Sequence, residues 1–233
     1  MSFITGDVMQ PVLLFDVNES LLDLGGLKEQ FERHFGGEIA VHEWFDQLIQ
    51  NAMLSVILGW PHNFAEVGRS SLEMVVKKHG RTLSNDTISE IVGGMRRLPA
   101  HGEVPEALNR LKNAGFRMAA VTNSPVSVAE EQLTHAELIQ FFEKVISVEE
   151  VKTLKPDPKV YRYAAQSMGV EPSHCYLIAC HPWDVAGAMA IGCLGGLIKR
   201  AGVSEIPFAL PPTVTAGDLV GVATTIIEQS QKG

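Results

Sequence analysis

Cysteine is scarce in this chain, and its few cysteines are not paired in sequence. The 233 residues include three, Cys175, Cys180 and Cys193, an odd number that contains no C-x-x-C pair. Disulfide frameworks and structural zinc sites usually show paired spacings, which are absent here. The composition therefore predicts reduced thiols in a cytoplasmic protein and no structural metal.

Long apolar runs and an excess of basic charge are missing as well. No run approaches the roughly 20 apolar residues needed to span a bilayer, and the N-terminal stretch has an acid but no basic segment, unlike a signal peptide. The 19 basic residues are outnumbered by 27 acidic ones, which gives a formal net charge of −8. This charge argues against nucleic acid or an anionic membrane as the main partner.

An apolar run that ends at an aspartate is the first feature to indicate a function. Val12-Leu-Leu-Phe15 leads directly into Asp16, and polar residues follow. Such a run is typical of a strand buried on both faces of a parallel sheet, and open α/β sheets bind their ligands at the carboxyl ends of these strands. On this stretch alone, Asp16 is equally consistent with a reactive carboxylate and with the N-cap of a following helix.

The next block of the chain, residues 24–97, shows helical periodicity without strand-like alternation. Four helices are predicted in it, at 27–35, 42–58, 64–79 and 84–98, and Gly36 with Gly37 ends the first. We therefore predict a helical domain over 24–97, inserted into a core formed by residues 1–23 and 98–233.

Strands and helices alternate in the second core segment. The predicted strands lie at 117–121, 144–148, 175–179 and 195–198, and the predicted helices at 105–114, 128–140, 160–168, 185–191 and 220–229. This alternation predicts βαβ units and a doubly wound parallel sheet.

Polar residues stand at several of the predicted strand ends and helix starts: Asp16, Thr122 with Asn123, Lys155 and Asp184. A doubly wound sheet brings such ends together even when they are far apart in sequence. A carboxylate nucleophile, a hydroxyl, a lysine and a second carboxylate can support covalent catalysis. Each residue has an alternative role as a turn, loop or cap residue, but their joint occurrence favours an active site.

The chain resembles the haloacid dehalogenase superfamily in four motifs, which follow the superfamily's order: Phe15-Asp16-x-x-x-Ser20, Val121-Thr122-Asn123, Lys155-Pro-Asp-Pro and Trp183-Asp184. The helical block is similar to the mobile cap of that superfamily. Two stretches resemble the L-2-haloacid dehalogenase (type II) branch in particular, Lys155-Pro-Asp-Pro-Lys-Val-Tyr161 and Trp183-Asp-Val-Ala-Gly-Ala188. The resemblance implies a Rossmann-like α/β core with a helical cap inserted after the first strand.

Position 18 distinguishes two chemistries within this superfamily. Its phosphatases carry a second aspartate two residues after the nucleophile and an acidic pair in the fourth motif that holds Mg²⁺. This chain has Asn18 and, in the fourth motif, Cys180-His-Pro-Trp-Asp184. Because Mg²⁺ sites depend on carboxylate oxygens, the resemblance implies substitution at carbon without a metal or cofactor.

The resemblance also implies a mechanism through an aspartyl ester. Asp16 would attack Cα of a small 2-substituted carboxylic acid, and water would then release a 2-hydroxy acid. Ser20 and Lys155 would hold the Asp16 carboxylate, whose pKa the lysine lowers; Asp184 would position Lys155 and the water. Thr122 and Asn123 would contact the substrate carboxylate. The full set of predicted substrate-contacting or supporting residues is Asn18, Glu19, Trp44, Phe45, Thr122, Asn123, Tyr161 and Trp183.

Three departures from the dehalogenase branch leave the leaving group open. Phe45 follows Trp44 where the branch has a halide-binding arginine, Ala179 and His181 replace a serine and an asparagine, and the loop after the nucleophile is Val17-Asn-Glu19. The missing arginine removes a cation that stabilises a departing halide. His181 has a suitable pKa for proton transfer, and we predict it to be catalytic.

A 2-haloacid dehalogenase is therefore the expected function, and the alternative is a hydrolase that opens a strained cyclic imino acid such as azetidine-2-carboxylate. Glu19 and Asp46 are further candidate proton carriers. Phe45 with Trp44, Trp60 and Phe64 would either wall the pocket or pack the cap helices, and Cys180 is expected to be a packing thiol. A magnesium phosphatase and an inactive, ligand-binding relative are less favoured. The resemblance also implies a homodimer.

Overall fold

A parallel β-sheet forms the centre of the computed structural model, which describes residues 10–36, 39–60 and 62–232. Its strands are β1 Val12–Phe15, β2 Met118–Thr122, β3 Lys144–Ser147, β4 Cys175–Ala179, β5 Leu194–Ile198 and β6 Val214–Ala216. Their order across the sheet is β3-β2-β1-β4-β5-β6, and every neighbouring pair is parallel. This order confirms the predicted doubly wound α/β class.

Strand β1 lies at the centre, with β2 on one side and β4 on the other. All four of its residues are buried, as expected for a strand covered by helices on both faces. Because the chain leaves β1 in one direction and returns on either side of it, the carboxyl ends of β1, β2 and β4 meet at the switch point of the sheet. This geometry brings Asp16, Thr122 and Cys180 to one edge.

Four helices lie between β1 and the second core segment: α1 Lys28–Phe35, α2 Ile39–Leu58, α3 Phe64–Lys78 and α4 Asn85–Gly94. Local capping explains their starts, since Asn63 and Glu66 form a capping box at α3, and Ser84 accepts from the Thr87 N–H at α4. The helices that cover the sheet are α5 Val104–Asn113, α6 Val126–His135, α7 Pro158–Ser167, α8 Pro182–Met189 and α9 Leu219–Ser230. Within the described residues, no helix combines the length and apolarity needed to cross a bilayer.

Several predicted element boundaries need correction. The helix predicted over 128–140 ends at His135, because Glu137 adopts a left-handed backbone with φ of 57° and a 3-10 turn follows over Ile139–Phe141. The first predicted helix begins as a 3-10 turn over Leu24–Leu27 before α1. Gly36 ends α1 with φ of 78°, whereas Gly37 lies outside the described residues.

The prediction that the sheet ends with the strand at 195–198 was wrong, since β6 pairs with β5. This strand has three residues at the sheet edge, and only Val214 is fully buried. A short edge strand with one buried side chain carries too little apolar pattern to be recognised in a sequence.

Candidate active site

The Asp16 carboxylate lies at the carboxyl end of β1 and is almost fully enclosed, with 7% of the residue exposed. Lys155 Nζ donates to its Oδ1 at 2.9 Å, and Ser20 Oγ donates to its Oδ2 at 2.6 Å. Burial by itself raises the pKa of Asp16, but the Lys155 charge and the neighbouring donors lower it well below its usual range. Asp16 therefore stays ionised in a site that little water reaches.

The alternative that Asp16 caps a helix is excluded by the local geometry. The cap is Asp23, whose Oδ1 accepts from the Gly25 N–H at 2.7 Å at the start of the 3-10 turn. Both Asp16 oxygens are instead occupied by side-chain donors.

Lys155 links Asp16 to a second buried carboxylate. Its Nζ donates to Asp184 Oδ2 at 2.8 Å, and 1% of the lysine is exposed. Burial alone lowers the pKa of Lys155, yet the two carboxylates reverse the effect and raise it, so the ammonium stays charged. Tyr161 OH donates to the other oxygen, Asp184 Oδ1, at 2.6 Å. Tyr161 thus supports the lysine through Asp184, without a direct hydrogen bond to it.

Ser20 joins the first motif to the fourth. While its hydroxyl donates to Asp16, its oxygen accepts from the Cys180 N–H at 2.9 Å. A single hydroxyl therefore fixes the Asp16 carboxylate against the end of β4. The thiol of Cys180 is buried, with 3% of the residue exposed, in keeping with the expected packing role.

The second motif supports the site largely through contacts within the protein. Thr122 Oγ1 accepts from the Ser124 N–H at 3.1 Å, and Asn123 Oδ1 accepts from the Lys155 N–H at 2.8 Å. In the part of the chain that the structure describes, the Asn123 side-chain nitrogen has no protein acceptor. Asn123 is thus the better placed of the two side chains to reach a substrate.

Asn18 is held from helix α6 by a residue that the sequence did not single out. Gln132 Nε2 donates to Asn18 Oδ1 at 3.0 Å and to the Met95 carbonyl at 2.7 Å, and Gln132 is fully buried. Asn18 Nδ2 donates in turn to Ser124 Oγ at 3.3 Å. The sequence carries no signal for this role, because the burial of Gln132 is known only from the structure.

His181 lies against the Asp16 carboxylate. Its Nδ1 is 3.1 Å from Asp16 Oδ2, and its Nε2 is 2.7 Å from Glu19 Oε2. Burial alone lowers the pKa of His181, but the Cys180 sulfur and hydrogen bonds to the Asp16 and Glu19 carboxylates raise it well above its usual range. An imidazolium between two carboxylates is the resulting state.

Two aromatic rings stack on this imidazole. Phe45, from α2, stacks on it with a centroid separation of 5.8 Å and an interplanar angle of 20°. Trp183 stacks on it at 5.3 Å and 26°. The predicted aromatic positions 45 and 183 therefore meet at His181.

The other predicted aromatic positions lie elsewhere. Trp44 stacks on Phe31 at 5.6 Å, and its Nε1 donates to the Gly68 carbonyl at 2.8 Å, so it packs among the helices. Trp60 and Phe64 line a cavity of about 460 Å³ that also borders Asn123. Of the two roles that the sequence left open for these aromatic residues, Trp44 shows helix packing, whereas Phe45 stacks on His181 and Trp60 and Phe64 border the cavity.

Glu19 has an unusual backbone that two further residues hold in place. Its φ of 60° lies in the left-handed region, which is unfavourable for a glutamate by about 1 kcal/mol or more. The Glu19 carbonyl accepts from His101 Nε2 at 2.9 Å and from Arg200 Nε at 3.1 Å. Neither His101 nor Arg200 carries a sequence signal, because both lie outside the four motifs.

Donor atoms of Glu19, Cys180 and His181 lie close together, although Glu19 Oε2 and His181 Nε2 are already joined by a hydrogen bond of 2.7 Å. One donor atom from each lies within 4.8 Å of the others, and the described residues contain no other such group. A mixed O, S and N donor set is typical of zinc, whereas Mg²⁺ requires oxygen ligands. The Asp16 surroundings thus do not provide the carboxylate set of a magnesium phosphatase.

Comparison with known proteins identifies a family and several relatives. A family model described as haloacid dehalogenase-like hydrolase matches residues 12–192. The chain is 27% identical over 215 residues to the (S)-2-haloacid dehalogenase H-109 of Pseudomonas putida. This alignment covers 91% of this chain and 96% of that protein.

Solved structures show the same fold. The L-2-haloacid dehalogenase of Xanthobacter autotrophicus superposes with a TM-score of 0.88 at 20% identity, covering 94% of this chain and 98% of that one. A structure of that protein with chloropropionic acid covalently bound superposes with a TM-score of 0.86 at 19% identity. It also covers 94% of this chain and 98% of that one. With most of its length matched by the family model, the chain belongs to the haloacid dehalogenase-like hydrolase family.

Proposed function

We propose that this hydrolase replaces the halogen of a small 2-haloalkanoic acid with a hydroxyl group, through an ester on Asp16 and without a metal ion. The observation that carries the proposal is the Asp16 carboxylate itself, which is buried and ionised between Lys155 and Ser20. The relatives named above support the substrate class, since one is an (S)-2-haloacid dehalogenase and another holds chloropropionic acid covalently.

In the first step, an Asp16 oxygen attacks Cα of the substrate and the halide leaves with the bonding electrons. A carboxylate is a better nucleophile when few waters solvate it, provided that a fixed charge keeps it ionised. Lys155 supplies that charge at 2.9 Å, and Ser20 restricts the rotation of the carboxylate. The Asn123 amide nitrogen is the side-chain donor best placed to bind the substrate carboxylate.

In the second step, water attacks Cγ of Asp16, the ester bond breaks, and a 2-hydroxy acid leaves. Asp184 keeps Lys155 in place through the 2.8 Å hydrogen bond, while Tyr161 holds the opposite oxygen of Asp184. Lys155 can then stabilise negative charge that develops on the ester carbonyl oxygen during this attack.

The helical segment 24–97 would act as the cap over this site, and residues 1–23 with 98–233 as the catalytic core. Phe45 supports this division, since it reaches from α2 to stack on His181 in the core. Cap movement would admit the substrate and then exclude water during the first step.

We also propose a cytoplasmic homodimer. Three free, buried cysteines fit a reducing compartment. Five large apolar side chains on α2, α3 and their connection are exposed, and such surfaces commonly mark protein contacts; they are Leu54, Ile57, Leu58, Trp60 and Met74. Light scattering should give the mass of two chains, and Ile57→Asp should give one. A wild-type monomer would contradict the dimer.

A single turnover in ¹⁸O-labelled water tests the ester intermediate. With enzyme in excess over 2-chloropropionate, we expect the label in the Asp16 peptide by mass spectrometry, because water attacks the Asp16 carbonyl carbon. Asp16→Asn should release no halide. Label confined to the lactate product would rule out the ester.

A substrate panel tests the leaving group and the role of metal. Halide release is expected from 2-chloropropionate, chloroacetate or fluoroacetate, and it should be unchanged after EDTA treatment. Ring opening of azetidine-2-carboxylate without halide release from the others would support the alternative function. If EDTA abolished activity and added Mg²⁺ restored it, the metal-free mechanism would be contradicted.

A further inference from the structure

We propose that His181 is the base that removes a proton from the hydrolytic water, and that Glu19 is the positioning residue that orients it. The two side chains and Asp16 then form a nucleophile–histidine–carboxylate series. This inference rests on the proposed ester mechanism and assigns the second of its two steps to named residues.

The direction of the hydrogen bonds supports this assignment. His181 Nδ1 faces Asp16 Oδ2 at 3.1 Å, and Nε2 faces Glu19 Oε2 at 2.7 Å. When Nε2 carries the proton that Glu19 accepts, Nδ1 is the free base and points to the carboxyl group that becomes the ester. Nucleophile, base and orienting acid stand in this relation in hydrolases that form covalent intermediates.

The other buried carboxylate is poorly placed to act as the base. Both oxygens of Asp184 already accept strong hydrogen bonds, one from Lys155 at 2.8 Å and one from Tyr161 at 2.6 Å, and the residue is completely buried. A water would have to displace one of these donors to reach it. The neighbour of His181 Nδ1 is instead the reacting carboxylate of Asp16, at 3.1 Å, and 13% of the His181 side chain is exposed, so a water beside Nδ1 also lies beside the Asp16 ester.

The imidazole is held in one orientation. Phe45 and Trp183 stack on it, and contacts with Asp16 and Glu19 engage both ring nitrogens, which restricts rotation of the ring. On the other side, His101 and Arg200 fix the left-handed backbone of Glu19. A strained residue held by several partners is a common feature of sites where a side chain must be aimed.

Ester formation changes the charge beside His181 in the direction that favours a neutral imidazole. Four titratable residues surround the imidazole: Asp16, Glu19 and Cys180 from the core and Asp46 from α2. His42, also on α2, lies beyond Glu19 and faces its carboxylate. Before the reaction, two carboxylates favour the imidazolium. Formation of the ester makes Asp16 neutral, so the pKa of His181 falls and the ring releases its proton to solvent.

The neutral ring can then serve the second step, and the proton balance closes. His181 Nδ1 takes one proton from water as the water oxygen bonds to Cγ of Asp16. The ester C–O bond breaks, and His181 returns that proton to the leaving 2-hydroxy acid. The new carboxylic acid of Asp16 loses the remaining water proton to solvent, and the restored carboxylate lets His181 take a proton back from solvent. The net release per turnover is therefore one proton and one halide.

The first experiment is rapid-quench kinetics of His181→Gln with 2-chloropropionate. We expect about one equivalent of halide per enzyme and then a stall, with the ester on the Asp16 peptide detected by mass, and kcat about 10²–10⁴-fold lower. His174→Gln is the matched control, because His174 is exposed at the amino end of β4, opposite the site. That control should turn over normally.

Three results would overturn the proposal or its basis in distinguishable ways. A slow first turnover without accumulated ester would place His181 in halide departure. Unchanged turnover would remove it from catalysis. A wild-type enzyme that forms no ester would refute the proposed function itself, independently of His181.

Glu19→Gln provides a second test that does not depend on the folding of the His181 variant. Because Glu19 favours the imidazolium, its loss should move the rising limb of the kcat–pH profile to lower pH. Maximal kcat should fall about tenfold or more, while the rate of the halide burst stays within about threefold. The control is Glu171→Gln, an exposed site at the amino end of β4. If kcat falls but the rising limb of the kcat–pH profile does not move, the role of Glu19 is merely structural. That result would refute the proposal that Glu19 orients His181 as the base.

Discussion

Replacement of Lys155 by methionine should lower both the stability and the activity of the protein. Methionine keeps the length and much of the volume of lysine but removes the ammonium that lies 2.9 Å from Asp16 and 2.8 Å from Asp184. The two carboxylates would then face each other in a buried site without a cation. Breaking a buried ion pair by removing one partner typically costs about 3–5 kcal/mol of unfolding free energy.

That cost converts into a measurable thermal shift. For a chain of this size, each kcal/mol corresponds to about 2–4 °C, so the melting temperature of Lys155→Met should fall by about 6–20 °C. Lys159→Met is the matched control, because the Lys159 side chain is exposed four residues away. Calorimetry or circular dichroism of the three proteins at neutral pH gives the comparison.

The stability difference should depend on pH with a definite sign. In the wild type, the pKa of Asp16 is lowered well below its usual range, so its favourable contribution persists until strongly acidic pH. In Lys155→Met, burial remains without the cation, so the pKa of Asp16 should rise above its usual value of about 3.9. Protonation then relieves the unpaired charge, and the gap between variant and wild type should narrow as pH falls.

Activity should fall for the same reason, since a protonated Asp16 is not a nucleophile. A loss of about 3–5 kcal/mol in stabilising the ionised carboxylate corresponds to a drop of about 10²–10⁴ in the rate of the halide burst. Near-normal activity and melting temperature in Lys155→Met, or a stability gap that widens at acidic pH, would refute the reasoning.

Two further substitutions test individual contacts. Tyr161→Phe removes the donor to Asp184 Oδ1; a charge-assisted hydrogen bond of this kind contributes about 1.5–3 kcal/mol, so kcat should fall about 10–100-fold with little change in KM. A raised KM with unchanged kcat would instead assign Tyr161 to substrate binding. Phe45→Ala removes the ring that stacks on His181 and should cost about 3–5 kcal/mol in urea unfolding, with Phe45→Leu, which fills the space, costing less. Equal stability of both Phe45 variants and the wild type would show that this contact does not hold the cap to the core.

The sequence by itself determined the fold class and the place of the candidate nucleophile in it. An apolar run that ends at Asp16 can be identified as a buried strand because both properties are local. The later strand and helix signals then predicted the parallel sheet that brings Lys155 and Asp184 to the same edge. The four motifs lie in regular elements or directly beside them, where local pattern and three-dimensional position are closely linked.

The tertiary structure decided which atoms meet. The contact of Lys155 with Asp16 spans 139 residues, and that of Cys180 with Ser20 spans 160, so their donors and distances depend on sheet order and loop geometry. The same holds for the side chain of Asn123, which supports the Lys155 backbone, and for Gln132, whose importance follows only from its burial against Asn18.

His181 and Glu19 show this division most clearly. The sequence identified both as candidate proton carriers, but it could not join them. Their hydrogen bond depends on a left-handed backbone at Glu19 and on Arg200 and His101, which reach its carbonyl across 181 and 82 positions of the chain. Local patterns encode which groups are reactive, whereas their relative orientation is set by long-range packing that no single segment contains.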